Sequence, residues 1–264
     1  MEIKTFDFGE FELIPDSSSS LQRTEEWLAK RSGCFTGSKI SDLMKCGRVT
    51  SKQSWLENSN KVFDFGTPAE KYIYCVGKER LTGNRSMQVT AKQLSHGIKH
   101  EPLLIEQLLK DGIITDFEEL GFEYFPNYTN GGASVDGVAR AGVNLEKGLN
   151  IPPGEKIGLE LKCCVSWEGH LKRMYEEVHE KHDDFWQFQS EMLATGQKKL
   201  LYIVTDPMTV KDYSIRVCEA SEVHQQALLK RCLIADKAIE YWNKETYAQA
   251  LARAICEFED QGKQ

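Results

Sequence analysis

In Ile157-Gly158-Leu159-Glu160-Leu161-Lys162 an acid and a lysine stand two residues apart within a run short and apolar enough to be a strand. Side chains alternate along a strand, so Leu159 and Leu161 would anchor it in a core while Glu160 and Lys162 share the other face, turned to a cleft. Such a pair alone reads as a cross-strand ion pair before anything else. Asp136, in Ser134-Val135-Asp136-Gly137, adds a second carboxylate, which a hairpin between the two segments would bring beside Glu160. Two convergent carboxylates repel unless a divalent cation lies between them, and Mg²⁺ prefers oxygen ligands and keeps several waters. A cation so held polarises a phosphodiester and acidifies a bound water, and a neighbouring lysine can orient that water or balance transition-state charge. The chemistry implied is phosphodiester hydrolysis.

The elements that must position these residues follow from periodicity. Thr24 caps a short helix that ends at Gly33, and Thr36-Gly37-Ser38 opens a second helix with Ile40, Leu43 and Met44 on one face. Longer helices are expected from Pro68 to Gly83 and from about Leu94 to Lys110, the latter carrying Glu101-Pro102 and stopped by Gly112. The period then changes to 2: Leu120, Phe122 and Tyr124 alternate, Gly132–Val138 reads as one strand, and 157–162 as another, with the turn-rich 148–154 making a long hairpin. Helices over 166–178 and 183–195, strands over 200–205 and 213–217, and a helical tail from Ser221 complete the chain. The expectation is an α/β (α+β) core, a central mixed β-sheet flanked by helices, with N-terminal helices and a helical C-terminal tail.

Of 264 residues 41% are hydrophobic and 28% charged, which excludes disorder, and no apolar run is long enough to span a bilayer. The acidic N-terminus does not resemble a secretory signal, so a cytoplasmic protein is expected, and its eight cysteines, with no C-x-x-C pair, read as reduced thiols. His179-x-x-His182 lacks the second ligand pair a zinc site needs. The net charge of −7 hides an asymmetry: residues 27–100 hold 13 basic and 5 acidic side chains, a candidate polyanion surface or simply a solvated face. The aromatics there, Trp27, Trp55, Phe63 and Phe65, read as core before DNA wedges.

Asp136 followed by Glu160-x-Lys162 resembles the PD-(D/E)xK signature of restriction-endonuclease-like nucleases. Arg31-x-Gly33-x-x-Thr36-Gly37-Ser38, Gly97-x-x-x-Glu101-Pro102, Ser134-Val135-Asp136-Gly137, Gly158–Cys163 and Phe185-Trp186-Gln187-Phe188-Gln189 come in the order seen in the lambda exonuclease or YqaJ-like viral recombinase family. The similarity spans about 22–208, with Val135 where proline is frequent and Cys164 where proline commonly follows. It implies a restriction-endonuclease-like fold and Mg²⁺ or Mn²⁺ held by Asp136, Glu160 and the Leu161 carbonyl. It further implies Lys162 as catalytic lysine and Glu101 as the helix-borne acid completing the site. By the same resemblance Arg31, Thr36, Ser38 and Ser134 would hold a 5′-terminal phosphate, with Gln187 beside that pocket in the catalytic set. Read without the family, Glu101 could lie in a helix's first turn, Thr36 and Ser38 could be caps, Ser134 could satisfy a strand edge, and Gln187 and Gln189 could be exposed helix positions.

The organisation expected is a leader over 1–21, a nuclease domain over 22–220 and a helical extension of it over 221–264. The activity implied is a metal-dependent 5′→3′ exonuclease of phage-type recombination acting on linear duplex DNA in a bacterial cytoplasm. A single-strand-annealing protein as partner and a homotrimeric ring are implied with it. An endonuclease of the same fold, or a catalytically silent DNA-binding relative, are the alternatives.

Overall fold

The computed structural model describes residues 22, 24–84, 91–145, 149–242 and 246–261, the side chains of 91–98 excepted. The leader over 1–21, with its serine run, lies outside them. Thr24 caps α1 (Glu25–Arg31), its side chain accepting the Trp27 N–H. After the turn at Gly33 come β1 (Phe35–Thr36) and α2 (Gly37–Leu43), which buries Ile40 and Leu43 as their spacing requires. A loop with two short 3-10 turns leads to α3 (Thr67–Thr82), begun by Pro68 and ended by Gly83 at φ 68. The next helix, α4 (Ala91–Lys110), holds Glu101 and Pro102 in its interior, so Glu101 is not a first-turn residue.

The strands are β2 (Ile114–Glu119), β3 (Phe122–Phe125), β4 (Tyr128–Ser134), β5 (Gly137–Ala141), β6 (Lys156–Cys163), β7 (Lys199–Thr205) and β8 (Tyr213–Glu219). Among the described residues they form two sheets, ordered β1-β4-β3 and β2-β5-β6-β7-β8. The larger sheet is mixed: β6 and β7 run parallel, joined through α5 (Trp167–Tyr175) and α6 (Asp183–Thr195), and its other pairings are antiparallel. The expected single strand over Gly132–Val138 is in fact two strands in different sheets. Its middle residue, Val135, is fully buried in the N-terminal core, and the next, Asp136, is tied by its side chain to the backbone of β6, so the chain crosses between sheets there. Strand β2 escapes the sequence pattern because a register shift between Thr115 and Glu118, with Asp116 at φ 49, breaks its alternation.

Helices cover both faces of the larger sheet. Leu104 and Leu108 of α4 pack with Leu159, Leu161, Leu201 and Ile203 on one face. Phe188 and Met192 of α6 pack with Leu200, Tyr202 and Val204 on the other. The tail is two helices, α7 (Glu222–Trp242) and α8 (Tyr247–Gln261), whose Leu228, Cys232, Ala235 and Leu251 join Phe35, Ile40, Leu43 and Ile73 in one core. Gly37 lets the start of α2 come against α6: a Cβ there would stand 2.7 Å from the Ser190 Oγ. No described helix is long and apolar enough to cross a membrane.

Candidate active site

Antiparallel pairing of β5 with β6 sets Gly137 opposite Leu159, and so brings Asp136, one residue before Gly137, next to Glu160. The Leu161 N–H donates to the Asp136 Oδ2 at 2.7 Å. In a strand the N–H and C=O of one residue point the same way, so the Leu161 carbonyl also opens on this side, past the end of β5. Alternation places Glu160 and Lys162 on the α6 face. They do not look into an open cleft: Glu160 is 3% exposed, ion-paired to Lys162, and accepts a hydrogen bond from the Gln187 Nε2 at 2.8 Å.

The electrostatics are those of crowded carboxylates. Burial raises the Asp136 pKa well above the ordinary carboxylate range, and the charges of Glu160 and Glu101 add to the rise. Burial works against the Lys162 charge, but Glu160, Asp184 and Asp136 outweigh it and leave its pKa above the usual lysine value, so Lys162 is an ammonium. Burial, then Glu160, also pushes the Glu191 carboxyl far up. Among the described residues no three His, Cys, Asp or Glu side chains are gathered into a ready metal cage, and Asp136 and Glu160 are engaged with Leu161, Lys162 and Gln187. The donor set nonetheless suits a hard cation: oxygen ligands only, like-charged, and destabilised by their own proximity.

A second cluster lies at the end of β4. The Arg31 Nη1 donates to the Ser134 Oγ at 3.0 Å and its Nη2 to the Ser38 Oγ at 3.3 Å. Trp27, one helical turn earlier, shelves the guanidinium 4.1 Å from its ring centroid. Three of the residues expected to hold a phosphate are thus brought together. Thr36 is turned elsewhere, with its N–H donating to the Tyr72 hydroxyl at 2.8 Å and its own hydroxyl 3.4 Å from the same oxygen. Nor does Thr36 cap α2 with its side chain. Gln187 has both carboxamide hydrogens on the acid side, one to Glu160 and one to Glu191 at 2.7 Å. Gln189 is a buried tie between elements, donating to the Glu219 carbonyl and accepting the Ser221 N–H, not an exposed position.

The motif residues left out Trp27, Tyr72 and Glu191. Spacing could have found two of them, since Trp27 precedes Arg31 by four residues and Glu191 follows Gln187 by four, each pair on one helix face. Tyr72 comes from a different helix and gives no such signal. Elsewhere, His182 accepts the Asp184 N–H at the start of α6, and His179 accepts the Lys181 N–H, so the histidine pair serves turns. All eight cysteines are free thiols, and Cys163 beside the site is pushed up to about 12, mainly by burial.

A family model for YqaJ-like viral recombinase domains matches residues 26–198, the stretch that holds both clusters. The chain belongs to this family. Three solved structures share the fold of this YqaJ-like domain. The alkaline exonuclease LHK-Exo from Laribacter hongkongensis superposes with a TM-score of 0.61 at 19% identity, over 84% of this chain and 97% of that one. The same enzyme in complex with dAMP gives 0.57 at 19% identity, over 91% and 98%. A phage-related exonuclease from Haemophilus somnus gives 0.53 at 8% identity, over 86% and 96%. No curated protein shows significant sequence similarity. Family and fold together make the YqaJ-like chain a nuclease with a restriction-endonuclease-like core. Its departures from the family pattern, Val135 and Cys164, are both buried and apolar, and neither replaces one of the acids.

Proposed function

We propose that the protein is a divalent-metal-dependent exonuclease that hydrolyses one strand of linear duplex DNA from its 5′ end. The observation that carries this reading is the spacing of the two clusters. Ser134, hydrogen-bonded to Arg31, is two residues from Asp136, so no more than about 7 Å separates their Cα atoms. A phosphate held by Arg31, Ser38 and Ser134 would therefore fix a strand end at a set distance from the acids, which suits removal of terminal nucleotides. Guanidinium is suited to such a phosphate because it offers paired donors in a rigid fork. The LHK-Exo complex with dAMP, a mononucleotide, accords with this.

In this reading Asp136, Glu160, Glu101 and the Leu161 carbonyl would hold Mg²⁺ or Mn²⁺, which supplies a Lewis acid and an activated water when bound. Lys162, kept charged by its carboxylate neighbours, donates hydrogen bonds toward the phosphoryl oxygens or the attacking water and does not serve as the base. Gln187 orients Glu160 through the 2.8 Å hydrogen bond. Arg31 holds the end, with Trp27 limiting its rotamers. The basic side chains within 27–100 that remain exposed track the backbone of the duplex. The reading extends to a nuclease domain over 22–220 with 221–264 as its extension, a cytoplasmic phage or prophage setting, a homotrimeric ring and a single-strand-annealing partner.

The test is a digestion time course on linear duplex bearing a 5′-phosphate or a 5′-hydroxyl, with and without Mg²⁺, beside covalently closed circles. The phosphorylated end should be degraded faster, Arg31→Ala should erase the difference, and the closed circle and the chelated sample should stay intact. Rapid nicking of the circle would mean an endonuclease instead, and DNA binding with no cleavage under any metal would mean a silent relative.

A further inference from the structure

Two buried polar residues of α6 stand two positions apart and differ in one respect. Gln189 is fully used by the fold, bonding Glu219 and Ser221 across elements. Glu191, 1% exposed, has its Oε1 on the Gln187 Nε2, while its Oε2 is buried with no hydrogen-bond partner. Of the other buried side chains near it on this helix, Trp186, Phe188 and Met192 are large and apolar, and Ser190 has its hydroxyl satisfied by the Gln187 carbonyl. A methionine or leucine would be the stabilising choice for the fold at such a position, because a carboxyl oxygen is costly to bury without a hydrogen-bond partner.

What Glu191 does contact is informative. The Gln187 carboxamide has two N–H hydrogens, and its nitrogen lies 2.8 Å from the Glu160 Oε1 and 2.7 Å from the Glu191 Oε1. The reverse orientation would set a carbonyl oxygen against the Oε1 acceptors of both acids. Glu191 therefore removes the choice that a glutamine otherwise has.

We infer that Glu191 is a positioning residue of the active site: it holds the Gln187 carboxamide so that it donates to Glu160, and so sets the orientation of that carboxylate. The inference rests on the proposed role of Glu160 in catalysis. Glu191 acts through Gln187, not on substrate.

The experiment compares Glu191→Leu, Glu191→Gln, Gln187→Ala and the double variant Glu191→Leu/Gln187→Ala in the full chain. It reads kcat and KM on 5′-phosphorylated duplex at saturating Mg²⁺, the Tm without metal, and Mn²⁺ affinity by titration without DNA. Glu191→Leu should raise Tm yet lower kcat about tenfold with KM little changed, the loss expected for one hydrogen bond to a charged group. It should also weaken Mn²⁺ binding, since Glu160 is then less well held. In the Gln187→Ala background it should cost nothing further, because both act along one path. Glu191→Gln, whose carbonyl can accept the same hydrogen, should restore most of the rate. If leucine disturbs the packing, Glu191→Met repeats the comparison with a longer, flexible side chain. Equal losses in both Gln187 backgrounds, or unchanged kcat and Mn²⁺ affinity in Glu191→Leu, would overturn the inference. Glu160→Gln is the separate control: normal cleavage by that variant would remove the proposed active site itself, whatever Glu191 does.

Discussion

Asp136 is the residue on which opposing demands meet. Its Oδ2 accepts the Leu161 N–H, which ties it to β6, while burial, Glu160 and Glu101 all disfavour its charge. A carboxyl raised in this way contributes stability in its neutral form. That contribution is present below the ordinary carboxylate range and is lost as pH rises through the raised value. Asp136→Asn keeps an acceptor for Leu161 but carries no charge. It should raise the Tm of the metal-free protein, the gap to the natural protein should widen from acid toward neutral pH, and cleavage should be abolished. Melts in chelator across that range check this, and a lower Tm at neutral pH would show that repulsion is not the dominant cost. Lys162→Ala removes the ammonium donor and should cost on the order of 10²–10³ in kcat. Single-turnover cleavage at saturating metal measures it, and a loss in KM alone would assign Lys162 to binding.

At the scale of elements, the cluster of Arg31, Ser38 and Ser134 depends on a turn that three other elements hold. Gly33, at φ +68, has no room for a side chain: a Cβ would lie 2.8 Å from the Arg80 Cγ. Arg80 of α3 donates from Nε to the Gly33 carbonyl at 2.6 Å and from Nη1 to the Asp236 carboxylate of α7 at 2.8 Å. Asp236 in turn accepts from the Tyr128 hydroxyl and from Asn130 in β4. The turn that follows Arg31 is therefore clamped by α3, α7 and β4 together. Arg80→Ala should weaken discrimination between 5′-phosphate and 5′-hydroxyl ends several-fold, while Tm falls as stability drops by about 3 kcal/mol, the cost of removing the cation that pairs with Asp236. The ratio of the two digestion rates is the readout, and an unchanged ratio beside a lowered Tm would limit Arg80 to stability.

Across the whole molecule, the positive excess of residues 27–100 is partly consumed by burial and by ion pairs within the chain. Lys61 is buried, with its ammonium over Trp55; Arg80 is paired with Asp236; and Lys45 reaches Asp183 at 2.7 Å. Exposed members such as Lys30 and Lys52 remain for a polyanion. Replacing Lys30 and Lys52 by glutamine should flatten the log–log salt dependence of DNA binding by roughly 0.9 for each phosphate that is no longer neutralised. Lys230, over the Phe63 ring, and Lys237, paired with Glu240, should leave the slope unchanged. Binding measured in Ca²⁺ tests this, and equal slopes for both sets would leave the block as a solvated face. The tail matters at the same scale. With α7 and α8 go Leu228, Cys232, Ile234, Ala235, Ile239 and Leu251 from the core shared with α2 and α3. Large buried side chains contribute about 2–5 kcal/mol each against a total stability of about 5–15 kcal/mol. A chain ending at residue 220 should lose cooperative thermal unfolding, followed by circular dichroism.

Local pattern alone determined most helices, the strand carrying Glu160 and Lys162, and a hairpin that sets Asp136 beside Glu160, because each depends on periodicity, capping and turn chemistry within a short window. Thr24, Pro68 and Gly83 are of this kind. The family motifs, read in order, also marked Arg31, Ser38 and Ser134, which do converge. Tertiary structure decided the rest. The break at Val135-Asp136 exists because two sheets compete for one segment, the loss of Thr36 to Tyr72 because α3 packs beside β1, and the burial of Gln189 and Glu191 because α6 lies flat on the sheet. Partners brought from distant positions leave no trace in a local window, since the free energy that fixes them comes from contacts that exist only after the chain has packed.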